Sequence, residues 1–253
     1  MLIRHGFICL VVILHIALIL GCVSTTSKNV SPSAIAEANA NLASEYFRMG
    51  RMEEALRAAK KAVVADSESV VANSLLAVIY QKLEMPLKAN EYFFSAIELH
   101  QEDDAGYGVI RNNYGVFLCQ QGEYIDAEEN FLLAAKNKLY RTPQNAYENA
   151  GICALKFNKI GKAENYFKKA LAFSPTMARS LVELAAIQYD AQNFLSARAY
   201  LQRYHAVAEG SAESLFLTIK AELKLGADEE AQRIINVLIE RFPDSKEAKV
   251  LAN

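Results

Sequence analysis

The chain has 253 residues, 52% of them hydrophobic and 22% charged, with a formal net charge of −2. That balance leaves no basic excess to hold a phosphate backbone, which sets nucleic acid aside as a partner. Only 5 prolines and no tryptophan occur, a composition that disfavours a turn-rich β-sandwich and favours helices.

The first residues differ from the rest. Arg4 and His5 give a short positive start, and Phe7 to Leu20 are almost wholly apolar, broken only by His15. The run falls short of the ~20 residues of a comfortable membrane span and suits an export signal. It ends in Ile19-Leu20-Gly21-Cys22, which resembles the lipobox of bacterial lipoproteins, although Leu20 is bulkier than the usual Ala or Ser. The resemblance implies that residues 1–21 are a signal peptide removed after Gly21. It also implies that Cys22 receives a diacylglycerol thioether and that its new amine is acylated, giving firm anchoring. The alternative is an uncleaved N-terminal anchor with an incidental Cys. Val23 rather than Asp after the Cys implies, by resemblance to sorted lipoproteins, the outer membrane facing the periplasm. Residues 22–35 then comprise the lipidated Cys and a flexible tether, polar and carrying a Pro.

Beyond the tether the chain repeats. Gly50 precedes Ala55, Gly122 precedes Ala127 and Gly226 precedes Ala231, five residues apart each time. Steps of 34 residues give six units: 36–69, 70–103, 108–141, 144–177, 178–211 and 212–245. Position 20 of every unit is Ala (55, 89, 127, 163, 197 and 231), and position 8 is Ala43, Ala77, Gly115, Gly151, Ala185 and Ile219. Position 24 is Ala59, Phe93, Phe131, Phe167, Leu201 and Ile235. Positions 4, 8 and 11 share one helix face, and positions 20, 24 and 27 share a face of the next helix. Small residues at 8 and 20 let two axes approach. Gly or Asn at position 15 suits a left-handed helix end, and Pro175 and Pro243 stop second helices. Glu84 and Gln192 at position 15 depart from this pattern, as do Thr218, Ile219 and Glu222 in the last unit. The pattern resembles the tetratricopeptide repeat. The expected fold is all-α, a right-handed superhelical solenoid of six helix pairs, with residues 246–253 as a C-terminal cap.

Of the four cysteines, Cys9 lies in the signal and Cys22 is the lipidation site. Cys119 and Cys153 fall near the ends of neighbouring first helices and are expected to form a disulfide if their Cα atoms lie within about 7 Å. Two buried free thiols are the alternative. No sequence motif for metal, nucleotide or nucleophilic chemistry occurs, so no catalytic residues, metal ligands, cofactor or small-molecule substrate are expected. What remains is surface. The concave face, lined by first-helix positions 2, 5, 9 and 12, includes Phe47, Val71, Val78, Val109, Val116, Ile152, Leu155 and Tyr189, with Glu37, Arg179 and Lys220 placed among them. It is either a groove for a peptide or strand or a face partly buried by tight coiling.

Units three and four carry RNNYGVFLCQQGEY at 111–124 and LYRTPQNAYENAGICAL at 139–155. With the lipobox and six repeats, these segments resemble the type IV pilus biogenesis/stability lipoproteins, the pilotin-type proteins of Gram-negative bacteria. The resemblance implies an outer-membrane lipoprotein that helps secretin subunits localise and multimerise, and it supports the disulfide. On that basis Asn112, Val116, Glu148, Ile152 and Leu155 are the expected partner-binding residues. Asn112 and Glu148 would pair with an extended partner backbone, and Tyr147 and Asn149 would be structural. A general outer-membrane adaptor for cell-wall enzymes is the alternative function.

Overall fold

The structure, a computed structural model, describes residues 31–100 and 106–251. The expected signal peptide (1–21), the lipidation site Cys22 and the tether up to residue 30 lie outside the described residues. Among the described residues every regular element is a helix. They are α1 (Pro32–Arg48), α2 (Met52–Ala65), α3 (Val70–Lys82), α4 (Pro86–Glu98), α5 (Tyr107–Gln121), α6 (Tyr124–Lys136), α7 (Pro143–Lys156), α8 (Ile160–Phe173), α9 (Ala178–Asp190), α10 (Phe194–His205), α11 (Ala212–Lys224), α12 (Asp228–Arg241) and the short α13 (Lys246–Leu251). They stack as six antiparallel pairs into a superhelical solenoid, α13 packing on both α11 and α12.

The first boundary differs from the sequence expectation. Residues 32–35, assigned to the tether, are the first turn of α1. The Ser31 side chain accepts a hydrogen bond from the Ala34 amide at 3.1 Å. Pro32 sits where its missing N–H costs nothing and its fixed φ suits the helix. A proline that reads as loop punctuation is here a helix start.

Within each pair, close approach of the two axes decides the geometry. All six alanines at position 20 are fully buried, at 0% exposure. In pairs three and four the opposing position is Gly115 or Gly151, and a Cβ added there would lie 2.8 Å from the Phe131 ring or 2.6 Å from the Phe167 ring. Both phenylalanines are fully buried, as is Phe93. The glycine therefore makes room for a ring that fills the space between units, which a larger side chain would displace.

The turn between paired helices is uniform. Position 15 is left-handed in all six pairs, with φ between 54° and 94°: Gly50, Glu84, Gly122, Asn158, Gln192 and Gly226. The next amide donates back to the carbonyl five residues earlier in every case, as in Arg51 to Tyr46 and Met85 to Tyr80, both 2.9 Å. This satisfies carbonyls left over at the helix end. Glu84 and Gln192 depart from the Gly/Asn pattern in sequence but take the same backbone, at a cost of about 1–2 kcal/mol each.

Successive pairs are joined unequally. A continuous core runs from Ala43 in α1 to Ile187 in α9. Pairs three and four are further tied through Glu128, which accepts from Tyr166 Oη (2.6 Å), Lys162 Nζ (2.7 Å) and Tyr124 Oη (2.8 Å). Burial pushes the Glu128 carboxyl up, but these three donors outweigh it and hold it below the ordinary carboxylate range. Burial and the bond to Glu128 push both phenols well above theirs.

The last pair has its own core of Leu215, Ile219, Ala231, Ile234, Leu238 and Ala248. Its sequence departures dock it on α10. Buried Glu222 receives a two-pronged bond from Arg198. Thr218 donates to the Ser214 carbonyl at 2.8 Å, so His205 Nε2, 3.0 Å away, donates to the Thr218 hydroxyl. Burial, with a smaller effect of Arg241, holds the His205 imidazole below its ordinary value of 6.5.

Two outcomes follow from this packing. Gly151→Ala drives a methyl into a fully buried ring and lowers stability by about 1–3 kcal/mol; adding Phe167→Leu recovers part of the loss, as thermal unfolding of both variants will show. Acidification acts on the last pair. The unfolded chain protonates His205 near 6.5, whereas the folded site resists the proton, so stability present above that pH is lost as pH falls through it. Protection factors of the α11 and α12 amides, corrected for the intrinsic exchange rate at each pH, fall on acidification through this range, and His205→Gln suppresses the part due to the imidazole.

Candidate partner-binding groove

First helices pack on the first helices of neighbouring pairs, α1 on α3, α3 on α5 and α5 on α7, so their outer faces form the concave wall. The wall is open at Val71 and Val109, which remain 65% and 47% exposed. Phe47, Val78, Val116, Ile152 and Leu155 are half-buried against the core, so the face is covered in part and open in part. Two adjoining cavities, of about 490 and 410 Å³, run along it and share Val78 and Asn113. The larger is lined by Phe47, Val78, Asn112, Asn113, Val116 and Asn149, with Gln81, Lys82, Glu84 and Gln120 at its rim. The smaller is more apolar and includes Ala40, Val71, Leu75, Val109 and Ile110. Aliphatic walls with a few amides suit an extended polypeptide. Amides satisfy its backbone, and the aliphatic walls bury its side chains.

The five residues expected to carry binding divide. Val116 lines the larger cavity, half-buried on α5. Asn112 also lies at that cavity, but it is 9% exposed and its Oδ1 accepts from Asn149 Nδ2 at 2.9 Å. Its acceptor oxygen joins pairs three and four. Glu148 is likewise engaged inside the protein. Its Oε2 accepts from the Ser180 amide (3.1 Å) and the Ser180 hydroxyl (2.7 Å). The residue preceding α9, Met177, supplies no capping side chain. A carboxylate from the previous pair therefore caps the first turn of α9, where free amides and the helix dipole favour an anion. Asn112 and Glu148, expected to pair with a partner backbone, thus commit one oxygen each to contacts within the protein. Ile152 and Leu155 are half-buried against the core and line neither cavity.

Tyr147 stacks on Phe173 (5.8 Å between centroids), with Lys169 over its ring at 5.5 Å, a packing role within the fourth pair. The groove extends further toward the N-terminus than those five residues suggest. Asn113 and Gln120, at positions 6 and 13, were not distinguished by the sequence pattern. Both lie one residue beyond the expected rows, on the same face of a helix that turns by 100° per residue.

Cys119 and Cys153 are joined by a disulfide with Cα atoms 5.9 Å apart. They clamp the ends of α5 and α7 beneath the groove. Closing 34 residues stabilises by roughly 3–4 kcal/mol on the chain-entropy argument. Lys156 Nζ reinforces the junction by donating to the Cys119 carbonyl at 3.0 Å.

A superhelix of helix pairs with an open, aliphatic and amide-lined concave face defines a polypeptide-binding scaffold of the tetratricopeptide class. The family model for the tetratricopeptide repeat matches residues 213–245. The type IV pilus assembly protein PilF of Pseudomonas aeruginosa is 30% identical over 175 residues, 69% of this chain and 68% of that protein. A solved structure of Pseudomonas aeruginosa PilF superimposes with a TM-score of 0.76 and 27% identity over 87% of this chain and 98% of that one. The crystal structure of PilW, a widely conserved type IV pilus biogenesis factor, gives 0.73 and 31% identity over 87% of this chain and 99% of that one. The chain belongs to the family of the type IV pilus assembly protein PilF.

The contrast between two neighbouring residues is measurable. Glu148→Ala removes the α9 cap and lowers stability by about 1–2 kcal/mol. Val116→Asp, at a half-buried side chain that faces the cavity, lowers it by less. Denaturant titration of the two variants distinguishes the structural side chain from the surface one.

Proposed function

We propose that the protein is a non-catalytic outer-membrane lipoprotein that binds secretin subunits in its concave groove and promotes their localisation and multimerisation for type IV pilus biogenesis. The observation that carries this reading is the open groove across the first four pairs, in a member of a pilus assembly family. The lipid on Cys22 confines the scaffold to the membrane plane on the periplasmic face. Captured subunits then meet at a raised effective concentration, so assembly needs no chemical step, metal or cofactor. Val116, Val78 and Phe47 bury the partner's aliphatic side chains, and Asn113 offers an amide to its backbone. The disulfide fits an oxidising compartment.

The test is the amount of heat- and SDS-resistant secretin multimer in outer-membrane fractions with and without the gene. Multimer lost while monomer accumulates is the expected result, with Cys22→Ala lowering multimer and releasing the protein from the membrane. Unchanged multimer and pili would overturn the secretin assignment.

A further inference from the structure

The concave wall is not uniform along its length. Repeat position 9 forms one row of first-helix residues: Ser44, Val78, Val116, Ile152, Ala186 and Lys220. After small and aliphatic residues the row ends in an ammonium. Lys220 Nζ lies 4.7 Å from the centroid of the Tyr189 ring, on the preceding pair, and 5.5 Å from that of Phe216, one turn back on α11. Its side chain is half-buried, and among the described residues no carboxylate comes within ion-pair distance of it.

Several charges of the last two pairs have partners of their own, whereas Asp190, next to Tyr189, is exposed. Arg179 holds Glu183 at 2.7 Å, Arg198 holds Glu222, and the exposed Glu213 faces Lys246 at 4.0 Å. Lys224, one turn further along α11, is exposed and adds positive charge. Ring faces attract a cation and fix its position, but they do not neutralise it or use its N–H donors. The result is a positioned, unneutralised ammonium at the end of an aliphatic strip. The ligand chemistry that completes it is a carboxylate, whose bond to an ammonium is charge-assisted and stronger than a neutral one.

We infer that Lys220 is a specificity-determining residue of the concave face, taking an acidic side chain of an extended partner segment whose aliphatic residues lie along Val78, Val116 and Ile152. The inference rests on the groove reading above and adds to it the chemistry of the segment. An internal Asp or Glu meets the ammonium wherever the segment runs on, whereas a terminal carboxylate would require the partner chain to end at the last pair.

The experiment uses blocked synthetic peptides of alternating valine and serine, one with an aspartate at each end and a twin with asparagines. A third peptide carries the asparagines and a free C-terminus. Fluorescence anisotropy with the mature, disulfide-bonded protein is expected to show roughly tenfold tighter binding of the aspartate peptide than of its twin, about 1.4 kcal/mol. Added salt narrows the gap. Lys220→Met keeps an unbranched apolar stem between the two rings; it is expected to abolish the preference while leaving the asparagine peptide's affinity unchanged. A preference that survives Lys220→Met overturns the inference, as does tighter binding of the free C-terminus than of the aspartate peptide. Val116→Asp separates the two readings. Loss of both peptides in that variant upholds the groove even if Lys220 fails. Binding of both as in the wild type, or no binding by the wild type, overturns the groove and the inference with it.

Discussion

The close approach of two helix axes at small residues is the contact on which the rest of the structure depends. Six alanines at one repeat phase are each sealed from solvent. Opposite them the side chains are also small, save in the last pair, so the helices of a pair lie near enough for the ring at position 24 to bridge to the next pair. Gly115 and Gly151 show how tight the fit is: a single added carbon would enter the Phe131 or Phe167 ring. Repeating this kind of contact along the chain turns each pair against its neighbour. That rotation curves the solenoid and exposes the first helices as a concave wall.

Stiffness is distributed unevenly along the wall. The third and fourth pairs are joined by the Cys119–Cys153 disulfide, the Glu128 cluster, the Asn112–Asn149 bond and the Lys156 clamp. The larger cavity spans this junction, so its walls are held by covalent and buried polar links as well as by packing. The last pair is attached differently. It has a separate small core and meets the fifth pair partly through Arg198–Glu222 and His205–Thr218. Polar bonds of this kind are directional, and removing one partner leaves a buried group unpaired. The departures of Thr218 and Glu222 from the repeat pattern thus make the terminal pair specific to its neighbour.

The relation between repeat pattern and site is uneven for a physical reason. Period and phase are written in residue size, which a sequence displays directly: Ala at position 20 and Phe at position 24 sit where the pattern places them. The groove is a property of several helices at once. Periodicity identified Val116 and Val78 as wall residues because both occupy a row facing the same side. It could not separate Asn113 and Gln120, which face the cavity from the edge of that row, from ordinary surface amides. Nor could it reveal that Asn112 and Glu148 are engaged by Asn149 and Ser180 in the adjacent pair. Polar residues of the same type serve a partner or a neighbour according to distances that only the stacked pairs define.

By itself the sequence determined the all-helical class, the repeat length, the small-residue contacts and the placement of Cys119 near Cys153, because each follows from local periodicity within one or two units. Tertiary structure decided the rest. Where the solenoid opens, which amides remain available, how Glu84 and Gln192 come to adopt a left-handed backbone, and why Lys220 stands unneutralised between two rings all depend on packing between units. These features are set by the angle and spacing at which pairs stack, a sum of many weak contacts that no single stretch of the chain encodes.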